Sequence, residues 1–200
     1  MAKIRLTKNE LKTQRDALKR FTRFLPTLEL KKKQLIQEIK KIEDSVAELD
    51  QRIDAEEAKI ERYAKMLSED VGLLGLVDLK EVITKEGNIA GVPIPVFVEA
   101  KVQMADYDLY SMPLWVDSAV LQISELARIR AERGVLEEQL ELLRHELKVT
   151  IQRVNLFEKI KIPECKNNIR RIQIYLGDQQ TNAVVRGKIS KVKLSREEAV

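Results

Sequence analysis

An apolar heptad repeat through the first third of the chain decides what the sequence can fold into. With Leu11 at position a, the a positions are Leu11, Leu18, Leu25, Lys32, Ile39, Val46, Ile53, Ile60 and Leu67. The d positions are Gln14, Phe21, Leu28, Leu35, Ile42, Leu49, Glu56 and Tyr63, so only Lys32, Gln14 and Glu56 interrupt the seam. A seam sustained over this many heptads specifies a coiled coil rather than an ordinary domain helix. At 1.5 Å per residue the segment is a rod of roughly 85 Å, too long for a compact domain of this size. Such a helix cannot bury its own stripe, so it needs a partner.

The same chain offers one. A second repeat runs through Leu126, Ile129, Arg133, Leu136, Leu140, Leu143, Leu147, Thr150, Val154 and Phe157. Its phase slips near Ile160 to Pro163, and a new frame continues through Ile162, Cys165, Ile169, Ile172 and Leu176. The economical solution is an all-α-dominated fold: a long antiparallel two-helix coiled coil in which each helix buries the other's stripe. Thr7 and Glu10 have the spacing of a capping box at the start of the first helix. Pro26 sits inside the repeat, but the heptad keeps its phase across it, which predicts a kink and not an end. Antiparallel pairing puts Pro26 and Pro163 about one turn apart in height, which predicts a shared bend at that level.

Between the rods the period changes. Val71-Gly-Leu-Leu-Gly-Leu-Val breaks the repeat, and Lys80 to Lys85 and Ile94 to Val102 are rich in β-branched residues. Glu86-Gly-Asn-Ile-Ala-Gly-Val-Pro between them is turn chemistry, so a small β-hairpin or irregular insertion is expected. Pro93 and Pro95 cannot donate to a ladder and belong on an edge or at a strand start. The insertion is either a cap on the loop end of the coiled coil or a surface for a partner. Val82, Ile89, Val96 and Phe97 exceed what a simple loop needs. The expected division is a helix over 1–67, the insertion over 68–113, a helix over 114–187 and a basic, frayed tail over 188–200. Gly177 and Gly187 weaken the second helix toward that tail.

Of the residues, 34% are charged and 4% aromatic, the mix that long helices use. Residues 1–40 carry 12 Lys and Arg against 4 acids, and 159–200 carry 10 against 4, whereas 41–158 carry 14 against 24. Antiparallel pairing gathers both basic ends at one tip, where solvation or an acidic enclosure accounts for the charge. Lys3, Arg5, Lys8, Lys188, Lys191 and Lys193 are its candidate contacts.

No catalytic constellation is present, and no cofactor or metal ligand set is expected. The only histidine, His145, falls on the outer face of a strong heptad, and the only cysteine, Cys165, falls at a core position. There is no Cys/His cluster and no phosphate-binding loop. Aromatics are not interleaved with the basic residues as single-strand binding would need, so no nucleic acid is expected. The N-terminus lacks the apolar stretch of a signal peptide, and no apolar run reaches a membrane span, which points to a cytoplasmic protein with no membrane insertion. Three readings remain: a rotor shaft, a prefoldin-like chaperone subunit, and a coiled-coil nucleic-acid or adaptor arm.

Two local patterns separate them. Asn88-Ile-Ala-Gly-Val-Pro-Ile-Pro resembles the Asn-Ile-x-Gly-Val-x-Val-Pro segment of the D subunit of the V-type (archaeal and bacterial A/V) ATPases. Thr150-Ile-Gln-Arg-Val-Asn-Leu-Phe-Glu, followed by Ile162-Pro163, is similar to that family's Thr-x-x-Arg-Val-Asn-Ala-Leu-Glu…Ile-Pro signature. Arg153, Val154, Asn155, Glu158 and Pro163 carry it here. Lys188-Ile-Ser-Lys-Val-Lys is similar to the family's Lys-rich C-terminal run, whereas Asp178 to Arg186 departs from the charged stretch usual before it. The resemblance implies a non-catalytic central-stalk subunit of a rotary ATPase, peripheral to the membrane, coupling ATP synthesis or hydrolysis to H⁺ or Na⁺ transport. It implies that the paired helices enter a catalytic hexamer of A and B subunits. It further implies that the middle of the chain docks the F subunit and the funnel-shaped C subunit on the membrane ring. Val82, Asn88, Ile89, Gly91, Pro95 and Phe97 are the insertion's candidate contacts.

Overall fold

The computed structural model describes residues 4–61, 76–105, 112–113 and 115–197, with the side chains of the last helix described to residue 193. Helix α1 spans Lys8–Glu61, strands β1 and β2 span Val77–Ile89 and Val92–Met104, and helix α2 spans Trp115–Asn155. A π-helical turn, Leu156–Lys161, joins α2 to helix α3, Ile162–Glu197. Two long helical stretches therefore flank a small antiparallel hairpin, the fold the repeats imply.

Every described a and d position of α1 is buried or half-buried, including the polar Gln14, Lys32 and Glu56. At its start the Glu10 N–H donates to Thr7 Oγ1 at 3.2 Å, and the Leu11 N–H donates to the Thr7 carbonyl at 3.0 Å. Thr7 thus satisfies a first-turn donor that would otherwise lack a partner. Pro26 lies inside α1 without ending it. The chain divides into two compact units, Lys31–Val149 and Met1–Leu30 with Thr150–Val200.

In the unit Lys31–Val149, α1 and α2 pair antiparallel. Leu49 and Ile53 pack with Leu126 and Ile129, and Leu35, Ile39 and Ile42 pack with Leu140 and Leu143. Leu35 and Leu143 are fully buried; burial of each contributes roughly 2–3 kcal/mol. Flanking the seam, Lys31, Glu43, Asp50 and Glu57 of α1 meet Glu146, Arg144, Arg133 and Arg130 of α2 in turn. Partners descend along α2 as positions ascend along α1, which fixes the antiparallel register. These pairs are partly or largely exposed, so each contributes only about 0–1 kcal/mol and acts mainly on register. The Asp50 hydrogen bond to Arg133 raises the guanidinium pKa further, so this cation at a heptad position keeps its charge.

The hairpin does not cap the loop end of the helices; it folds back along them. At its base Leu76 packs with Val116 and Val120 at the start of α2, and the Ala105 N–H donates to the Leu76 carbonyl at 2.9 Å. At its tip Ile89, Ala90, Val92 and Ile94 join the cluster around Leu35, Ile39, Ile42, Leu140 and Leu143. Thirteen residues per strand extend about 43 Å, comparable to the roughly 35 Å of helix between Val120 and Leu143. The two-residue turn uses Ala90 at φ 51° and Gly91 at φ 79°, the signs of the type I′ turn that matches strand twist. Asn88 Oδ1 accepts from the Gly91 N–H at 2.9 Å and holds that turn.

Ile89 and Val92 flank the turn as a pair, followed by Asn88 with Pro93, Gly87 with Ile94, and Glu86 with Pro95. Ladder hydrogen bonds alternate along such a hairpin, so both prolines fall where the backbone groups point away from β1. The strand therefore loses nothing by lacking their N–H groups. The outward Pro95 carbonyl accepts a hydrogen bond from Nε2 of Gln139, which is buried on α2.

In the unit Met1–Leu30 with Thr150–Val200, the Phe21 and Phe157 rings lie 5.0 Å apart, and Val154, Cys165 and Ile172 are buried. Gln14, the polar residue in the seam, meets a second polar group: Asn168 Nδ2 lies 3.5 Å from Gln14 Oε1, and Gln14 Nε2 donates to Glu10. The π turn explains the phase slip. Beyond Phe157 the old frame calls for Lys161, Glu164, Asn168 and Arg171, whereas the new frame uses Ile162, Cys165, Ile169 and Ile172. The offset is one residue throughout, which is what one π turn inserts. Helix α3 then continues through Gly177, Gly187 and the basic run to Glu197, where a frayed tail is the sequence expectation.

Replacing Gln139 with Leu leaves the Pro95 carbonyl without its donor, at a cost of about 1–3 kcal/mol. The expected outcome is faster proteolytic cleavage within 77–104, with helical ellipticity unchanged at room temperature. Burial raises the Cys165 thiol pKa above its ordinary value, with Glu164 adding to the shift. At pH 8, alkylation of Cys165 should therefore be at least about ten-fold slower in the folded chain than in denaturant, because the thiolate is the reactive form.

Candidate functional site

Three surfaces hold the residues singled out in the sequence. On the hairpin, most of those six residues are occupied in holding the fold. Ile89 packs into the helical cluster, Gly91 makes the turn, Asn88 caps it, and the Pro95 carbonyl receives Gln139. Val82 and Phe97 are half-buried. The exposed apolar residues of the hairpin are others: Leu79, Val96, Val98 and Met104 are between 40% and 57% exposed. Val98 is the most exposed because the register shifts between Ile83 and Thr84, leaving Val98 opposite no residue of β1. Gly87, opposite Ile94, leaves room for Val96: a Cβ there would lie 2.5 Å from Val96 Cγ2. Strand pattern alone does not reveal this exposed set, because two register shifts interrupt the in–out alternation.

The second surface surrounds the π turn. Val154 is buried, while Arg153, Asn155, Glu158 and Pro163 are exposed, so four of the five signature residues face outward around one irregular turn. Leu156 and Ile160 within the turn are 39% and 54% exposed. Next to it, Lys159, Ile160, Asn168, Arg171 and Ile174 line one side of a shallow groove whose other side includes Ile4, Arg5, Leu6 and Gln14.

The third surface is basic, and the structure divides it. Lys3 lies outside the described residues. Arg5 and Lys8 are exposed at the start of α1, with Arg5 in the groove beside Arg171 and Ile174. Lys188, Lys191 and Lys193 are exposed farther along α3; at 1.5 Å per residue Lys188 is about 20 Å past Ile174. The expected single basic tip is therefore two groups. Every residue from Gly177 to Lys193 is exposed. In this stretch Val185, Ile189 and Val192, each 48% to 51% exposed, recur at helical spacing on one face. Lys188 and Lys191 flank that face on one side and Arg186 and Lys193 on the other. The sequence signal for this stripe is a second apolar spacing that begins only after Gly177 and is out of frame with the seam.

Among the described residues no group of His, Cys, Asp and Glu could hold a metal, and no helix is long and apolar enough to cross a membrane. His145 is exposed, as its heptad position requires. The chemistry these surfaces offer is recognition: apolar contact on the hairpin and cationic, amphipathic contact on α3.

A family model described as the D subunit of ATP synthase matches residues 10–192. The chain is 47% identical over 196 residues to the V-type ATP synthase D subunit of Borreliella burgdorferi, covering 97% of this chain and 96% of that one. It is 33% identical over 202 residues to the protein of the same name from Chlamydia trachomatis serovar L2, and 32% identical over 202 residues to that of Chlamydia muridarum, covering 98% of each chain. Matching these relatives over nearly its whole length, the chain belongs to the family of ATP synthase D subunits.

Proposed function

We propose that the chain is the central-stalk shaft of a V-type rotary ATP synthase, passing torque between the catalytic A/B hexamer and the membrane ion-translocating ring. The observation that carries this reading is the antiparallel pairing of α1 with the returning helix, in a chain matching the D-subunit family over almost its whole length. Twisting such a pair distorts knobs-into-holes packing and so meets resistance, which is what a torque element requires. The shaft itself performs no catalysis. It couples ATP synthesis or hydrolysis at the hexamer to H⁺ or Na⁺ movement at the ring, as a peripheral, hetero-oligomeric component without membrane insertion.

The basic groups and the hairpin support the following partner assignments. The basic stretch of α3 with Lys188, Lys191 and Lys193 enters the hexamer, together with the N-terminal group that includes Lys3, Arg5 and Lys8. The exposed apolar residues of the hairpin and the middle of the helix pair dock the F subunit and the funnel-shaped C subunit. Surface charges at such contacts act through screened attraction, so their influence weakens as salt rises.

Reversing Lys188, Lys191 and Lys193 to Glu should weaken co-purification with A/B hexamers by about ten-fold or more at low salt, with the gap narrowing in high salt. The same reversal at Arg5 and Lys8 should act separately, since the two groups lie apart. Unchanged assembly at every salt concentration would remove the hexamer from the assignment. For the hairpin, deletion is an unclean test because Ile89, Val92 and Ile94 complete a core. Val98→Glu alters only exposed surface. It should reduce capture of the F and C subunits in a pull-down, leaving the helical melting temperature within about 2 °C of the parent.

A further inference from the structure

We propose that the π turn Leu156–Lys161 is a compliant joint, the place where twist between α2 and α3 is absorbed. This rests on the shaft reading for its purpose, but its physical basis lies in the helix itself. The turn makes at least one i→i−5 bond, from the Ile162 N–H to the Phe157 carbonyl, in place of the α-helical ladder. None of its six residues is buried. Pro163 follows, which lacks an N–H and whose ring would strike the carbonyl of Lys159 in a regular α-helix. The wider turn admits that ring. Poorer hydrogen bonding, a missing donor and only partial burial, chiefly of Phe157 against Phe21, thus coincide in one stretch, whereas buried Val154 and Cys165 anchor the helix on either side.

The joint is also held in place. Moving the inserted residue upstream past Phe157, or downstream past Ile162, would put Glu158 or Lys161 where an apolar residue now packs. The turn can flex where it is, but its extra residue cannot migrate. Arg153, Asn155, Glu158 and Pro163 mark the joint as the setting of the Arg-Val-Asn…Pro pattern, which gives those exposed positions a local mechanical role.

The arrangement makes an unusual demand. Removing one residue from an ordinary coiled-coil helix rotates everything beyond it out of register. Removing one here should instead restore a continuous α-helix, because the frames on either side differ by the one inserted residue. The test uses the full-length chain carrying a deletion of Lys159 together with Pro163→Ala. A deletion of Lys148, in the regular part of α2, serves as the control. The Lys159 variant should keep the parent's helical ellipticity and melt at or above its temperature, whereas the Lys148 variant should melt well below it. In the parent, amides of residues 157–162 should exchange with deuterium at least about ten-fold faster than those of 140–149; in the Lys159 variant that ratio should fall to near one. A Lys159 variant that melts as low as the control overturns the proposal, and so does slow exchange in the parent turn. Both measurements read the isolated chain, so they stand or fall independently of the shaft reading. In an assembled complex, a bead fixed to the shaft should fluctuate through a narrower angle with the Lys159 variant. An unchanged width there overturns the mechanical role, while loss of assembly by the parent chain would overturn the shaft reading instead.

Discussion

Burial of the α1 seam against the returning chain is the contact on which the other features depend. A long amphipathic helix in water exposes a continuous apolar stripe, and no single domain core is large enough to cover it. The chain covers it by reversing direction, which makes α2 and α3 answerable to the spacing of α1. Where the two helices run in phase, Leu35, Leu143 and Ile172 are fully enclosed. Where the returning sequence falls out of phase, the backbone gives way and inserts a π turn. Ion pairs such as Asp50 with Arg133 add little energy, but they penalise every other alignment of the two helices.

The hairpin obeys the same constraint from outside. Two strands alone are at best marginally stable in water. These two are fastened to the helix pair at both ends, with Leu76 seated at the base and Ile94 at the tip. The tip adds to the core of the helix pair, and exposed valine, leucine and methionine remain along the strands. An element that looks like a lobe in the chain is, in space, a rib along the helices. Its candidate contact residues accordingly shift from those that shape the turn to the apolar residues left exposed along the strands.

Much of this was legible in the heptad. Each described a and d position of α1 is where its spacing places it, and the Thr7 cap, the hairpin and the slip beyond Phe157 all follow from local pattern. The location of the hairpin along the helices did not follow, because strand spacing says which face is apolar but not which element receives it. Gln139 illustrates the gap: nothing in its sequence neighbourhood shows that its amide meets the Pro95 carbonyl. The helical state of the basic run was also hidden, since two glycines and a dense positive charge argue against a helix that the structure nevertheless carries to Glu197. Local propensity is a weak prior there, and the frame beyond Gly177 is new.

The two prolines of β2 also guard the strand's free edge. A hairpin this long, with exposed valines on one face, would ordinarily offer its edges to any extended chain nearby and so invite aggregation. Along the outer edge of β2, Pro93 and Pro95 present no N–H to a newcomer, and Gln139 already occupies the Pro95 carbonyl. The exposed edge of β1 is lined by the charged Lys80, Glu81, Lys85 and Glu86. The residues that fasten the hairpin to its own helices are thus also those that keep a newly made copy from adding strands to its neighbours before its true partners arrive.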